Sequence, residues 1–256
     1  CDPLILEHAP IIANTCRHIA SPQIRNRATI GGSLLANNRC AYFNQSAHNR
    51  LVHGACYKAG GGECHMVSTA KSGSSPFCRA RSVSDLAPVL MLLNARLRLL
   101  TPGRERDLVL ENAYLHDGII SNRLERNELL TEIAIPMPLP TRVTYEKLRI
   151  RNAIDFPSVG MAVAFEVSTR GLSVCYTGVN THPTLLRFLE SDFTGFLEMV
   201  DKACEDAMRA AHPLKQDLFS PSYRREMIGV LIRRSLPLLK KSFMCRPLQL
   251  RLQRPP

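Results

Sequence analysis

Four of the nine cysteines in this 256-residue chain, Cys40, Cys56, Cys64 and Cys78, fall in one Gly- and Ser-rich stretch, with 15, 7 and 13 residues between them. Thiolates that converge from such a stretch suit two kinds of centre. Tetrahedral zinc closes its coordination with four of them, and an iron–sulfur cluster is also held by four cysteines. The spacing is no compact ferredoxin run and does not separate the two. On the residues alone zinc is the plainer reading, because structural zinc loops are common. His65 follows Cys64, but four cysteines already complete a site, so it is read as an outer partner at most. Cys1, Cys16, Cys175, Cys204 and Cys245 are scattered and read as small buried hydrophobes or spare thiols.

A second candidate is the run Thr29-Ile30-Gly31-Gly32-Ser33. Successive N–H groups in a Gly turn form a concavity for an anion. The same residues also fit an ordinary turn ending a strand. Asp85 stands directly before an apolar helical run, where it caps the helix and still offers a carboxylate to a ligand. Arg151 and Asp155 read as an ion pair shaping a loop. Lys147, taken by itself, reads as a surface lysine on a strand.

These groups need elements to hold them. Residues 4–19 have helical apolar spacing ending near Ala20-Ser21-Pro22, with Pro10 either kinking the helix or marking its start. Residues 24–30 lead into the Gly pair, and residues 38–82 form a polar insertion with little core of its own. A helix over 86–93 and an alternating strand at Ala95, Leu97 and Leu99 follow, then a strand over 128–135. Pro136, Pro138 and Pro140 mark a boundary. Beyond them, strands are expected over 144–149, 158–168 and 172–177, and amphipathic helices over 193–211 and 221–240. The chain therefore reads as α+β, with one domain over 1–140 and a small sheet-plus-helices domain over 141–250.

The charge balance of +11 raises the question of nucleic acid. Arg224-Arg225 and Arg233-Arg234 sit at helical spacing beside apolar residues without interleaved aromatics, so they read as a solvated helix face and no nucleic-acid partner is expected. An acidic substrate or electron-transfer partner suits the charge. No apolar run approaches the roughly 20 residues a bilayer requires, and the first residues lack a signal peptide's basic start. The expectation is a cytoplasmic protein with no membrane partner.

Several strings then occur in a telling order: IASPQIRNRATIGGSLLAN over 19–37, SDLAP over 84–88, LLTEIAIP over 129–136, YEKLRIRNAIDFPSVGMAVA over 145–164, YTGVNTHP over 176–183 and SYRREMIGVLIRR over 222–234. Together they resemble the flavoprotein subunits of the xanthine dehydrogenase and carbon monoxide dehydrogenase family, the molybdenum hydroxylases. The resemblance implies the second lobe of a PCMH-type FAD-binding domain over 1–140, followed by the C-terminal domain of such flavoproteins. It also implies FAD held by Thr29, Ile30, Gly31, Gly32, Ser33 and Asp85, with Leu130 near the flavin ring. Lys147 would stabilise negative charge on that ring as it is reduced.

Two departures stand out. The family's first Gly-Gly-Thr-Asp-like pyrophosphate motif has no counterpart here, which makes the sequence either a fragment lacking the N-terminal lobe or a degenerate copy. Ser33 replaces a common asparagine but keeps a hydrogen-bonding group.

The insertion, with CYKAGG over 56–61 and ECHM over 63–66, resembles the cluster-bearing loop of the 4-hydroxybenzoyl-CoA reductase flavin subunit. That likeness implies a 4Fe-4S cluster on Cys40, Cys56, Cys64 and Cys78, with a longer final gap through residues 72–76. Neither a molybdopterin segment nor a plant-type cysteine cluster is present. Substrate chemistry is then expected on partners: a molybdopterin-containing large subunit, a 2Fe-2S small subunit, and an electron donor or acceptor such as ferredoxin. The net reaction implied is reductive dehydroxylation of an aromatic acyl-CoA. The rival expectation is a non-catalytic, zinc-stabilised assembly or binding module descended from such a flavoprotein.

Overall fold

The computed structural model describes residues 2–67, 77–137, 139 and 141–244. The expected polar stretch over 72–76, Pro138, Pro140, Cys1 and Cys245 lie outside them. Two antiparallel sheets organise the α+β chain.

The chain opens with α1 (Pro3–His8) and α2 (Pro10–Arg17). Pro10 starts the second helix, because proline tolerates a first-turn position where its missing N–H is not needed. Where residues 24–30 were expected to lead into a turn, the structure instead has α3 (Pro22–Arg25) and α4 (Ile30–Leu34). Ser21 and Thr29 cap them, accepting hydrogen bonds from Ile24 and Gly32 N–H respectively. The Gly pair therefore lies inside a helical turn.

The insertion holds α5 (Ala47–His53) and is closed at its neck by paired backbone bonds between Arg39 and Arg81 (2.9 and 2.8 Å). Downstream come α6 (Leu86–Leu92), β1 (Arg96–Thr101), β2 (Arg104–Val109), α7 (Leu110–Ala113) and β3 (Leu129–Ala134). The first sheet has the order β2-β1-β3. Leu97 and Leu99 point inward from β1, as the period-2 alternation requires.

A four-stranded meander follows: β4 (Thr141–Leu148), β5 (Val159–Glu166), β6 (Gly171–Thr177) and β7 (Thr184–Leu189). Its central strands are covered on both faces. Val159, Met161 and Val163 enter one core with α8 (Phe196–Arg209) and α9 (Pro221–Met244), while Ala162 and Ala164 face α6 in the other. That double burial is why residues 159–165 read as a near-continuous apolar run.

Two side chains overturn the sequence reading of their neighbourhoods. Arg224 is fully buried rather than on a solvated helix face. Its guanidinium donates to the carbonyls of Ser158 (3.1 Å), Leu214 (2.9 Å) and Gly178. Arg81 joins it by donating to Gly178 O (3.1 Å) and to Asp217 Oδ2 (3.0 Å). Asp85 does not cap α6: the described cap bond runs from Ala87 N–H to Ser84 Oγ (3.3 Å), which leaves the Asp85 carboxylate for other partners.

Candidate functional site

A pocket of about 360 Å³ opens beside α4. Thr29, Gly32 and Ser33 form one wall, Ala20 and Ile154 another, and Asp85 adds a carboxylate. A mainly apolar cavity with a few convergent polar groups is the usual form of a small-molecule site, and its volume falls in that range. Of the residues expected to hold FAD, Thr29, Gly32, Ser33 and Asp85 line this space. Gly31 faces away, since a Cβ there would lie 3.3 Å from Leu130 Cδ2; Leu130 thus packs behind α4.

The Gly run offers fewer free donors than a nest. Gly32 N–H is taken by Thr29 Oγ1 (3.0 Å) and Ser33 N–H by Thr29 O (3.0 Å). Two wall residues carry left-handed backbone, Ala20 (φ 44) and Ile154 (φ 54). Such a conformation is costly for a β-branched residue and persists only where surrounding structure enforces it. Here the Ile154 N–H donates to Ala20 O (3.2 Å), so the two strained residues tie both sides of the pocket together. Sequence reasoning did not assign 154–156 to the site, although the shared string RNAIDF marked them.

Lys147 is no surface residue: its side chain is 0% exposed, and that of Asp85 is 5%. Its ammonium donates to Asp85 Oδ2 (2.9 Å), His18 O (2.9 Å) and Asp155 O (2.8 Å), which uses all three N–H groups. Tyr145 OH donates to the other Asp85 oxygen at 2.6 Å. Burial pushes the Asp85 carboxyl up and the Lys147 ammonium down, and each opposes the other's shift by attraction. Burial, then the Asp85 charge, holds the Tyr145 phenol well above its usual range, so it stays a donor. Lys147 therefore acts on the pocket through Asp85 and through the loops it fastens.

The cysteines of the insertion come together. Cys40, Cys56, Cys64 and Cys78 line one pocket, with Tyr42, Lys58 and His65 among its other walls. Tight local turns bring them there. Gly61 N–H donates to Cys56 O (2.9 Å), and a Cβ at Gly61 would sit 1.8 Å from Ala55 O, so only glycine fits. Gly118 approaches from outside the insertion, its N–H donating to Cys78 O (3.0 Å). His65 stacks on Tyr42 (ring centroids 4.2 Å apart) and supports the wall. Burial pushes the Cys78 thiol up, partly offset by the Ala80 N–H and the Lys58 charge.

Among the described residues no three His, Cys, Asp or Glu side chains converge closely enough to ligate a single ion. The four cysteines thus share a pocket without closing on a single-ion site. As a donor set, four thiols suit either tetrahedral zinc or a four-iron cube. The enclosed space is about 10 Å³ as it stands, so an occupant of that size requires the loop walls to part.

A short stretch of chain links the two pockets. Ala36 lines the first and Cys40 the second, four residues on, a span of at most about 14 Å. Arg39 between them lies over the Phe156 ring at 4.8 Å.

Known proteins are similar to this chain in sequence and fold. The chain is 30% identical over 208 residues to the aldehyde oxidoreductase FAD-binding subunit PaoB of Escherichia coli (strain K12), covering 78% of this chain and 63% of that one. It is 25% identical over 243 residues to the carbon monoxide dehydrogenase medium chain of Hydrogenophaga pseudoflava, covering 91% and 68%. The reconstituted CO dehydrogenase from Oligotropha carboxidovorans has a similar fold, with a TM-score of 0.66 at 23% identity over 94% of this chain and 70% of that one. The chain thus spans between 63% and 70% of the length of these relatives. Residues 1–138, more than half of the chain, match the family described as the FAD binding domain in molybdopterin dehydrogenase; with the pocket built by Thr29, Ser33 and Asp85 inside that match, the chain belongs to this family of FAD-binding oxidoreductase subunits.

Proposed function

We propose that this chain is the electron-transfer flavoprotein part of a molybdenum-dependent oxidoreductase and holds a 4Fe-4S cluster as well as FAD. The observation that carries the reading is a pair of pockets linked by a short stretch of chain, one lined by Thr29, Gly32, Ser33 and Asp85 and the other by four cysteines from one insertion. Thr29 and Ser33 would hold polar parts of the cofactor, and Ile154 and Phe156 would pack on it. Lys147 would keep Asp85 oriented and ionised. Cys40, Cys56, Cys64 and Cys78 would ligate the cluster. FAD exchanges electrons singly or in pairs and an iron–sulfur cluster singly, so the pair can join two-electron chemistry to a chain of one-electron carriers.

The catalytic partners would be a molybdopterin-containing large subunit and a 2Fe-2S small subunit, with a ferredoxin-like protein as outside donor or acceptor. The cysteine loop favours an aromatic acyl-CoA reductase as the whole enzyme, with reductive dehydroxylation of 4-hydroxybenzoyl-CoA as its reaction. Serine substitution of each cysteine in turn tests the cluster assignment, with iron, sulfide and flavin measured on anaerobically purified protein. Oxygen is a poor substitute for thiolate, so iron should be lost or the cluster converted while flavin content falls much less. Serine at Cys16, Cys175 or Cys204 should leave iron unchanged. Full iron occupancy in the Cys56 and Cys64 variants would sink the ligand assignment.

A further inference from the structure

Lys58 occupies an unusual electrostatic position. Its ammonium donates to Asn37 Oδ1 (2.7 Å) and to the Gly118 carbonyl, and it lies 5.4 Å from the Phe43 ring centroid. Among the described ion pairs it has no carboxylate partner. Lys58 is half-buried, and two more deeply buried cations do have one: Lys147 bonds Asp85 at 2.9 Å, and Arg81 bonds Asp217 at 3.0 Å. Lys58 lines the same pocket as Cys40, Cys56, Cys64 and Cys78, and Asp117 directly precedes the Gly118 whose carbonyl it bonds. Asp117 directs its carboxylate to the N–H groups of Ile119 (3.1 Å) and Ile120 (3.4 Å). That carboxylate and the thiols of the pocket are the groups facing Lys58.

A cation partly withdrawn from water and bonded only to neutral acceptors is less favourable than one with a counter-ion beside it. Four neutral thiols do not relieve that, but four thiolates around a metal centre do. We propose that Lys58 is the fixed counter-charge of the four-cysteine pocket and raises the reduction potential of the centre held there; this rests on the cluster reading above. A four-iron cube with four thiolates is anionic in both oxidation states and gains a further negative charge on reduction. A cation held in place therefore favours the reduced form.

The anchors keep that charge at a set position. Gly118, whose carbonyl receives Lys58, lies against Cys78 so closely that a Cβ would fall 2.8 Å from both Cys78 O and Cys78 Sγ. Asn37, the other anchor, directly follows Ala36 of the first pocket. Lys58 is thus a positioning residue bonded to both the flavin-side segment and the wall of the cysteine pocket.

The test uses the full chain purified anaerobically, with redox titrations followed by low-temperature electron paramagnetic resonance. In Lys58→Met the cluster should keep its iron while its reduced-to-oxidised ratio at a given potential falls about tenfold, a midpoint about 59 mV lower for one electron. Lys58→Arg, which keeps the charge, should move it by less than half as much. An unmoved midpoint in Lys58→Met at full iron content overturns the role and leaves the cluster reading intact, whereas a parent protein without iron sinks both. If Lys58→Met loses its iron, retention in Lys58→Arg supports the counter-charge, and equal loss in both overturns it.

Discussion

Breaking the buried Lys147–Asp85 pair should unbalance the first pocket in a way that pH reveals. Asp85→Asn leaves the ammonium of Lys147 with only the carbonyls of His18 and Asp155, in a side chain with 0% exposure. Lys147→Met leaves the Asp85 carboxylate with only Tyr145 OH. Removing one partner of a buried pair typically costs about 3–5 kcal/mol, because the other charge remains uncompensated. Replacing both, as in Asp85→Leu with Lys147→Met, should cost far less than the sum of the single changes.

The signs of the pH dependence differ between the single variants. In Asp85→Asn the folded-state pKa of Lys147 falls further below its unfolded value, so the variant loses stability relative to the parent as pH falls from alkaline values toward neutrality. In Lys147→Met the folded-state pKa of Asp85, already raised by burial, rises further above its unfolded value, so relative to the parent stability is kept at low pH and lost as pH climbs through the raised pKa. The chain has no tryptophan, so urea denaturation followed by far-UV circular dichroism, between pH 5 and 9, is the suitable assay. Opposite slopes and a coupling of several kcal/mol are expected. Additive single effects, or losses under about 1 kcal/mol each, would refute the buried-pair reading.

Three further outcomes are expected. Gly32→Val should abolish flavin retention and leave the second core folded, because a Cβ there meets the capping Thr29 Oγ1 at 3.1 Å and the added bulk enters the pocket; equal flavin after gel filtration would count against it. Ile154→Gly should raise stability by roughly 1 kcal/mol by relieving the positive φ and weaken flavin binding by removing a pocket wall. A clear drop in the denaturation midpoint would show that no strain is stored there. His182 is held down to about 4 by burial and by the neighbouring His116, stacked at 3.6 Å. Its neutral form thus contributes stability above its ordinary pKa near 6.5, lost as pH falls toward 4, at most about 2 kcal/mol after allowing for partial exposure. His182→Gln should flatten that part of the stability profile, and an unchanged slope between pH 7 and 4.5 would contradict this.

Periodicity made the regular elements legible. Leu97 and Leu99 announced β1, and residues 158–168 announced a strand, whose burial on both faces only the structure revealed. What the sequence hid was pairing at a distance. Asp85 and Lys147 are 62 residues apart, and neither letter shows that the other will be its counter-ion. Arg224 looked solvated because it adjoins Arg225, yet three carbonyls from separate loops make a buried place for it. The Gly pair looked like a turn because glycine disfavours helix interiors, but Thr29 supplies a cap that starts one. β2 and β7 escaped notice because their charged and half-exposed residues blur the alternation. The cysteines were legible as a group in the sequence; their common pocket became visible only with the turns at Gly61 and Gly118.

The absorbance spectrum of anaerobically purified protein, taken with its iron, zinc and flavin content, tests most directly whether this chain joins FAD to an iron–sulfur cluster. Flavin bands on a broad iron–sulfur shoulder are expected, with about four irons per chain. A colourless protein with stoichiometric zinc would contradict it.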